Sequence, residues 1–299
     1  MRNKFHELLP LFFILYLIGS PAHMQEALGQ DGKSFLWKAQ SGESAVYIFG
    51  SIHLLKKEDY PLNPKIETAF DKSDNLVVEA NILDQSKMNI QMIMEKGFYP
   101  PNDNLAAHVS SETYESVKSE AAKLGLPPEI IERQKPWVLS MSLEAIGLMK
   151  QGYDLAYGAD NYFLSRATGR KKILELESIN EQINLLANLS DREQELMLLL
   201  TLKDLQNVAR EVDQVVQAWK SGDTKGMEAI MTKSFKEDPR LVPVNERLIY
   251  ERNGKMVSKI EEYLKGKGTY FVVVGAGHLV GERGIIETLR KKGYPVEQL

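Results

Sequence analysis

Two stretches of the chain repeat one local pattern more than 200 residues apart. In "VYIFGSIHLL" a run of β-formers, Ala45 to Phe49, leads into Gly50 and then His53. In "YFVVVGAGHLVG" the run Tyr270 to Val274 leads in the same way into Gly275 and His278. Both read strand, then G-x-x-H. With 5 His and 21 Gly in 299 residues, chance alone supplies roughly 0.35 such motifs, the ordinary false-positive risk of short patterns. One copy is therefore weak. Two copies, each behind a β-run, are informative, because a common site would require the two ends of the chain to meet at one edge of a sheet.

The rest of the pattern says what that sheet is built from. "SFLWKAQSGESAVYIFGSIH" reads as a hairpin around "SGES" whose second strand feeds the first G-x-x-H. "LNPKIETAFDKSD" follows as a helix, and the apolar run in "NLVVEAN" as a buried strand. The middle is helical: "SSETYESVKSEAAKLG" has a serine start and a glycine stop, and the next helical stretch is broken near Pro136. "GADNYFLSRATGR" is a further helix, with Asp160 placed as its N-cap. "KKILELES" is a short strand. Ser190 and Glu193 form a capping-box pattern that opens a single long amphipathic helix reaching about residue 223. "VNERLIYERNGKMVSKIEEYLKG" is one more helix, and the chain ends in a helix followed by a strand or tail. The expected fold class is α/β. It has a mixed, largely parallel central sheet with flanking helices, a single domain over residues 23–299, and a helical insertion or cap from about 85 to 157.

The first residues, "MRNKFHELLPLFFILYLIGSPA", carry Arg2 and Lys4, a short apolar run, and small residues at Ser20 and Ala22. Residues 1–22 are read as a secretory signal peptide, with an uncleaved membrane anchor as the alternative. A periplasmic or secreted protein is expected. There is no cysteine, which excludes disulfides, thiolate metal sites and a Cys nucleophile. The net charge of −4, without a basic block, gives no nucleic-acid footprint. H-E-x-x-H, G-x-x-x-x-G-K and G-x-S-x-G are all missing. "GAGHLVG" has the wrong spacing for a G-x-G-x-x-G dinucleotide loop.

The polar residues fall in a telling place. His53, Glu79, Glu177 and His278 all lie at, or just past, the C-terminal end of an expected strand. In open α/β sheets that edge is where sites are built. Gly50, Gly275 and Gly277 are expected to supply left-handed turns or close approach there. Two imidazoles and two carboxylates suit a divalent transition metal with an open position for water. The same groups, without metal, suit general acid–base work. Arg252 in "YERN" is a candidate for a substrate carboxylate or an oxyanion. His108 is taken as structural.

At these residues the chain resembles the TraB/GumN proteins, a group that includes PrgY and the animal Tiki proteins. The likeness runs through "FLWKAQ…VYIFGSIHLL", "LVVEAN", "GADNYFLSRATGRKKILELESINEQ", "ERN" and "VVVGAGHLVGERGIIETLRKKGY", in that order. The resemblance implies an α/β fold similar to erythromycin-esterase-like and ChaN-like proteins. It also implies a metal-dependent peptidase site with His53, Glu79 and His278 as ligands of a divalent ion such as Mn, Co or Zn, and with Glu177 and Arg252 as further matches. Two functions are carried forward. One is an exported metal-dependent hydrolase, expected to act on peptide bonds. The other is a non-catalytic protein that sequesters a peptide or small exported ligand. No nucleic-acid partner and no membrane span in the mature chain are expected.

Overall fold

The computed structural model describes residues 32–205 and 207–299. The expected signal peptide, residues 1–22, lies outside them. Six strands form one sheet: β1 (Leu36–Ser41), β2 (Ser44–Ser51), β3 (Asn75–Val78), β4 (Lys172–Glu175), β5 (Gly268–Gly275) and β6 (Val296–Gln298). Their order is β4-β3-β5-β2-β1-β6. β4, β3, β5 and β2 run parallel, and the central three, β3, β5 and β2, carry the buried apolar runs of a covered parallel sheet. β1 returns antiparallel on β2 through a tight turn in which Gly42 takes φ +56°, and β6 closes the far edge antiparallel to β1. The mixed, mostly parallel α/β architecture is the one the sequence pattern leads to.

Helix α1 (Pro64–Asp71) joins β2 to β3. The β3–β4 connection carries α2 (Ile90–Gly97), α3 (Ser111–Leu124), α4 (Pro128–Glu132), α5 (Pro136–Met149) and α6 (Ala159–Ala167). The β4–β5 connection carries α7 (Ile179–Ala187), α8 (Asp191–Asp204), α9 (Val208–Lys220), α10 (Thr224–Glu237), α11 (Val242–Asn245) and α12 (Glu251–Lys265), and α13 (Ile285–Lys291) precedes β6. Local chemistry sets several of these boundaries. Ser110 caps α3 by accepting from Thr113 N, and Gly125 ends it at φ +76°. Ser190 and Glu193 form the expected capping box of α8. No helix among the described residues is long and apolar enough to cross a membrane.

The single long helix expected after Ser190 is two. α8 stops at Asp204 and α9 starts at Val208. The two halves bury their apolar faces in different places. Leu198 and Leu202 of α8, with Leu205, pack against α3 and α5 in a separate helical cluster. Val212, Val215, Val216 and Trp219 of α9 pack on the sheet. One straight amphipathic face cannot serve both directions, so the helix breaks between them.

Beside that break, three buried acids meet: Glu144 of α5, Asp204 of α8 and Glu211 of α9. Both carboxylate oxygens of Glu211, and one each of Glu144 and Asp204, have no hydrogen-bond partner from the protein. Burial, reinforced by the nearby Asp204, pushes Glu211 up to about 7, and burial pushes Asp204 up to about 6. Lys203, Lys233 and Arg210 pull Glu211 the other way and are outweighed. A carboxyl whose native pKa is raised favours the fold fully below its unfolded pKa, and loses that contribution as pH rises through the native value. Replacing Glu211 by the neutral Gln removes the cost of ionising it. Glu211→Gln should therefore be more stable than wild type by roughly 1–3 kcal/mol at pH 7.5, and the gain should vanish towards pH 4.5. Urea unfolding of both proteins across that range checks it. A difference independent of pH would refute the electrostatic cause.

Candidate functional site

The parallel register aligns the strand ends. Ser51 of β2 pairs with Gly275 of β5, Val78 of β3 with Val273 of β5, and Val78 with Glu175 of β4. The pairing of β3 with β4 continues past the strands, with Glu177 N donating to the Glu79 carbonyl at 2.8 Å. His53, Glu79, Glu177 and His278 are thus delivered to one edge, as the strand-end placement predicts. His53, Glu79, Arg252 and His278 line one cleft with Gly275 between them. A Cβ placed on Gly275 would lie 3.4 Å from Glu79 Oε1, 3.5 Å from His53 Nε2 and 3.6 Å from His278 Cδ2.

The glycines act by lacking a side chain. Gly50, Gly275 and Gly277 do not have positive φ, so the left-handed turns expected of them are corrected. A Cβ on Gly50 would come within 3.1 Å of the Ala276 Cα and 2.5 Å of the Phe35 ring. The glycine of the first motif therefore lets the loop of the second lie against it. The Gly50 carbonyl also accepts from Trp219 Nε1 at 2.6 Å.

Arg252 organises the floor of the cleft. It enters just after a π-helical turn, Glu246–Tyr250, that joins α11 to α12. Its Nε donates to both oxygens of Glu177 at 3.0 Å, and Nη2 lies 2.5 Å from Glu79 Oε2 and 3.0 Å from Glu177 Oε2. Nη1 donates to the Leu248 carbonyl at 3.0 Å and to His278 Nε2 at 3.1 Å. All its N–H groups face protein acceptors, so the guanidinium holds the site together from the cleft's edge and is not aimed at a ligand. Burial works against the Glu79 charge, but Arg252, helped by His278, His53 and the Gly275 N–H at 2.6 Å, holds its carboxyl down at about 2. Glu177 is buried and paired with Arg252.

The two histidines are set in opposite ways. His278 Nδ1 lies 2.6 Å from Asn253 Oδ1, and the Asn253 amide is fixed by donating to the Arg283 carbonyl. Nδ1 therefore carries the proton and Nε2 accepts from Arg252. Burial and the Arg252 charge push His278 down to about 3, so the ring is neutral. His53 Nδ1 lies 2.7 Å from Asp160 Oδ2, and Asp160 Oδ1 accepts from Ser51 Oγ at 2.8 Å. Burial disfavours the His53 charge, yet Asp160 outweighs it and raises the pKa. His53 keeps 22 % side-chain exposure, and its Nε2 is the ring nitrogen on the Gly275 side.

Asp160 is not the helix N-cap. Gly158 holds that place without a side-chain cap, which puts Asp160 one position inside α6 and turns its carboxylate onto the first G-x-x-H loop. A Cβ on Gly158 would fall 2.1 Å from the His53 carbonyl oxygen, so the glycine brings the start of α6 onto that loop. Asn253, Gln182 and Ser51 also belong to the site and stand out in no motif. The nearest signals are that Asn253 adjoins Arg252 in "ERN" and that Ser51 lies within G-S-I-H. His108 lies elsewhere, bonded to Asp103 and stacked on Tyr99.

The sequence model of the TraB/PrgY/gumN family matches residues 35–298. The chain belongs to this family. It is 25% identical over 266 residues to the uncharacterized protein YbaP of Escherichia coli (strain K12), covering 87% of this chain and 94% of that protein. It is 24% identical over 319 residues to metalloprotease TIKI1 of Xenopus tropicalis, covering 88% of this chain and 61% of that protein. Metalloprotease TIKI2 of Danio rerio is 22% identical over 324 residues, with 90% and 61% covered. No solved structure matches the chain.

The names of the Tiki relatives bring a metal ion into question. As arranged here, the side chains do not fit one: no three His, Cys, Asp or Glu among the described residues are placed to hold a metal ion. The cause is visible. The Nε2 lone pair of His278 and one oxygen of Glu79 are both taken by the Arg252 guanidinium.

The geometry of His53 is open to a direct check. Asp160→Asn removes the charge that raises its pKa, so the NMR titration midpoint of His53 should fall. An unmoved His53 midpoint would sever the link between the two groups.

Proposed function

We propose that this TraB/PrgY/gumN protein is an exported hydrolase that cleaves peptide amide bonds, with His53 as the group that moves the proton. One observation carries the reading: a partly buried carboxylate, Asp160, grips His53 Nδ1 and leaves Nε2 towards the cleft beside Gly275. An imidazole so held has one tautomer, one orientation and a basicity suited to taking a proton from water or returning it to a leaving amine. Glu79 and neutral His278 face the same space as acceptor and spectator, held in position by Arg252. Arg252 is a positioning residue in this account.

The Tiki relatives named metalloproteases support peptide hydrolysis as the reaction class. A divalent ion on His53, Glu79 and His278 is the finer form of that likeness. Those ligands are engaged by Arg252 in the arrangement described, so the proposal rests on the His53–Asp160 pair. Export is supported by the signal-like sequence of residues 1–22.

The test is incubation of the purified protein with a peptide library, with and without added Mn²⁺, Co²⁺ or Zn²⁺, read by mass spectrometry. Cleavage by wild type should fall by roughly 10²–10⁴-fold in His53→Ala, and by at least about tenfold in Asp160→Asn. Peptide bound but recovered intact under every condition would favour sequestration instead and overturn the hydrolase. Gly275→Ala gives a sharper probe. Its methyl would sit at ordinary contact distance from Glu79, His53 and His278, so thermal unfolding should change little. Turnover should drop, because the methyl fills the place where a reacting group must stand. Undiminished turnover in Gly275→Ala would put the chemistry elsewhere.

A further inference from the structure

The cleft has two unlike sides. Its floor is the polar strand edge. Its wall comes from the helical layer: Met141 of α5, Leu186 of α7, Val215 of α9, Met227 and Met231 of α10, and Leu248 of the π-helical turn. Three of the chain's 11 methionines stand on that one wall. The charged side chains that line the cleft, Glu79 and Arg252 with the two histidines, belong to the floor, and the wall brings no charge of its own. On the floor, the single Arg252 cation is opposed by both Glu79 and Glu177. An anionic side chain would therefore meet no free positive partner, and a cationic one would have to be buried against thioethers and alkyl groups.

The wall is joined to the second motif. A Cβ on Gly277 would lie 2.3 Å from Met231 Cε. The second glycine of G-A-G-H, Gly277, thus makes room for Met231 to lie over the loop that presents His278. An apolar group of the substrate resting on Met231 would be within the same cleft as His53 Nε2. Unbranched thioether chains adapt to different apolar shapes, so such a wall selects for apolarity and size.

Resting on the hydrolase reading, we propose that the substrate residue beside the scissile bond is a large apolar one, such as leucine, methionine or phenylalanine, and that the methionine-rich wall centred on Met231 recognises it. The occupant is an apolar side chain of a peptide, whose amide reaches the polar floor.

The experiment is kcat/KM for wild type on peptides that differ only at that residue. Leu, Met and Phe should exceed Gly, Asp and Lys by about 10- to 200-fold, the range a hydrophobic pocket supplies. Met231→Asp places a carboxylate on the wall, and should lower the Leu peptide at least about tenfold while raising the Lys peptide. Met231 is half-buried, and should Met231→Asp fail to fold, Met231→Ala serves in its place. That variant opens the wall and should shift preference from Leu towards Phe and Trp. Cleavage with no apolar preference, or a preference that neither variant moves, overturns this inference and leaves the hydrolase standing. No cleavage of any peptide by wild type overturns both.

Discussion

The buried guanidinium of Arg252 is the interaction on which the site depends. It lies 7 % exposed between two carboxylates that are themselves 7 % exposed. Removing three charges from water is unfavourable, and their mutual attraction offsets this only when the geometry is good and the remaining donors are satisfied. Here they are: two carboxylates, a carbonyl and an imidazole take up the N–H groups. Burial opposes the Arg252 charge, but Glu79 and Glu177 outweigh it and raise its pKa. Such a cluster is a weak source of stability and a strong source of specificity, since losing one member strands the others. It ties α12 to the ends of β3 and β4 and to the loop after β5, elements whose sequence positions span most of the chain.

Two rigid frames meet at this cluster. Arg252 and Asn253 fix His278, one from each ring nitrogen, so that ring is neutral and immobile. Asp160 and Ser51 fix His53 from one side only, and its second nitrogen stays on the cleft side. Matching motifs therefore yield unlike histidines. The difference follows from what each ring faces: a cation lowers one pKa and a carboxylate raises the other. This separation of environments lets one pair of like residues divide into a structural member and a titrating member.

Much of this was legible in the sequence. Apolar runs ending in Gly-x-x-His, Glu79 and Glu177 placed the polar residues at strand ends, and parallel pairing then brought them together with no further information. The residues that escaped notice are those whose roles depend on contacts across helices. Asp160 looks like a cap because acidic residues near helix starts usually are; only the packing of Gly158 on the His53 carbonyl turns it to the first motif. Asn253 has no spacing that announces it. The break between α8 and α9 was invisible because each half is amphipathic on its own, and the change of face shows only once two separate cores exist. The glycines were rightly singled out, and of the two roles expected of them close approach holds while the left-handed turns do not. Sequence gives their absence of a Cβ, but only coordinates tell whether that serves a turn or a close contact.

The arginine also bears on how a metal and this fold relate. A divalent ion and a guanidinium would be alternative cations for the same partners, Glu79 Oε2 and His278 Nε2. His278 Nε2 has a single lone pair and it faces Nη1, so that atom cannot serve both at once, whereas the Glu79 carboxylate keeps further lone pairs beside its bond to Nη2. Arg252 could release them only by leaving Glu177 as well, since Nε and Nη2 are shared between the two carboxylates. That would leave Glu177 buried beside Gln182 with its charge uncompensated. The neutral, Arg-bound His278 and the Asp-bound His53 are properties of the arrangement described, and for that reason the proposed hydrolase assigns its proton transfer to His53.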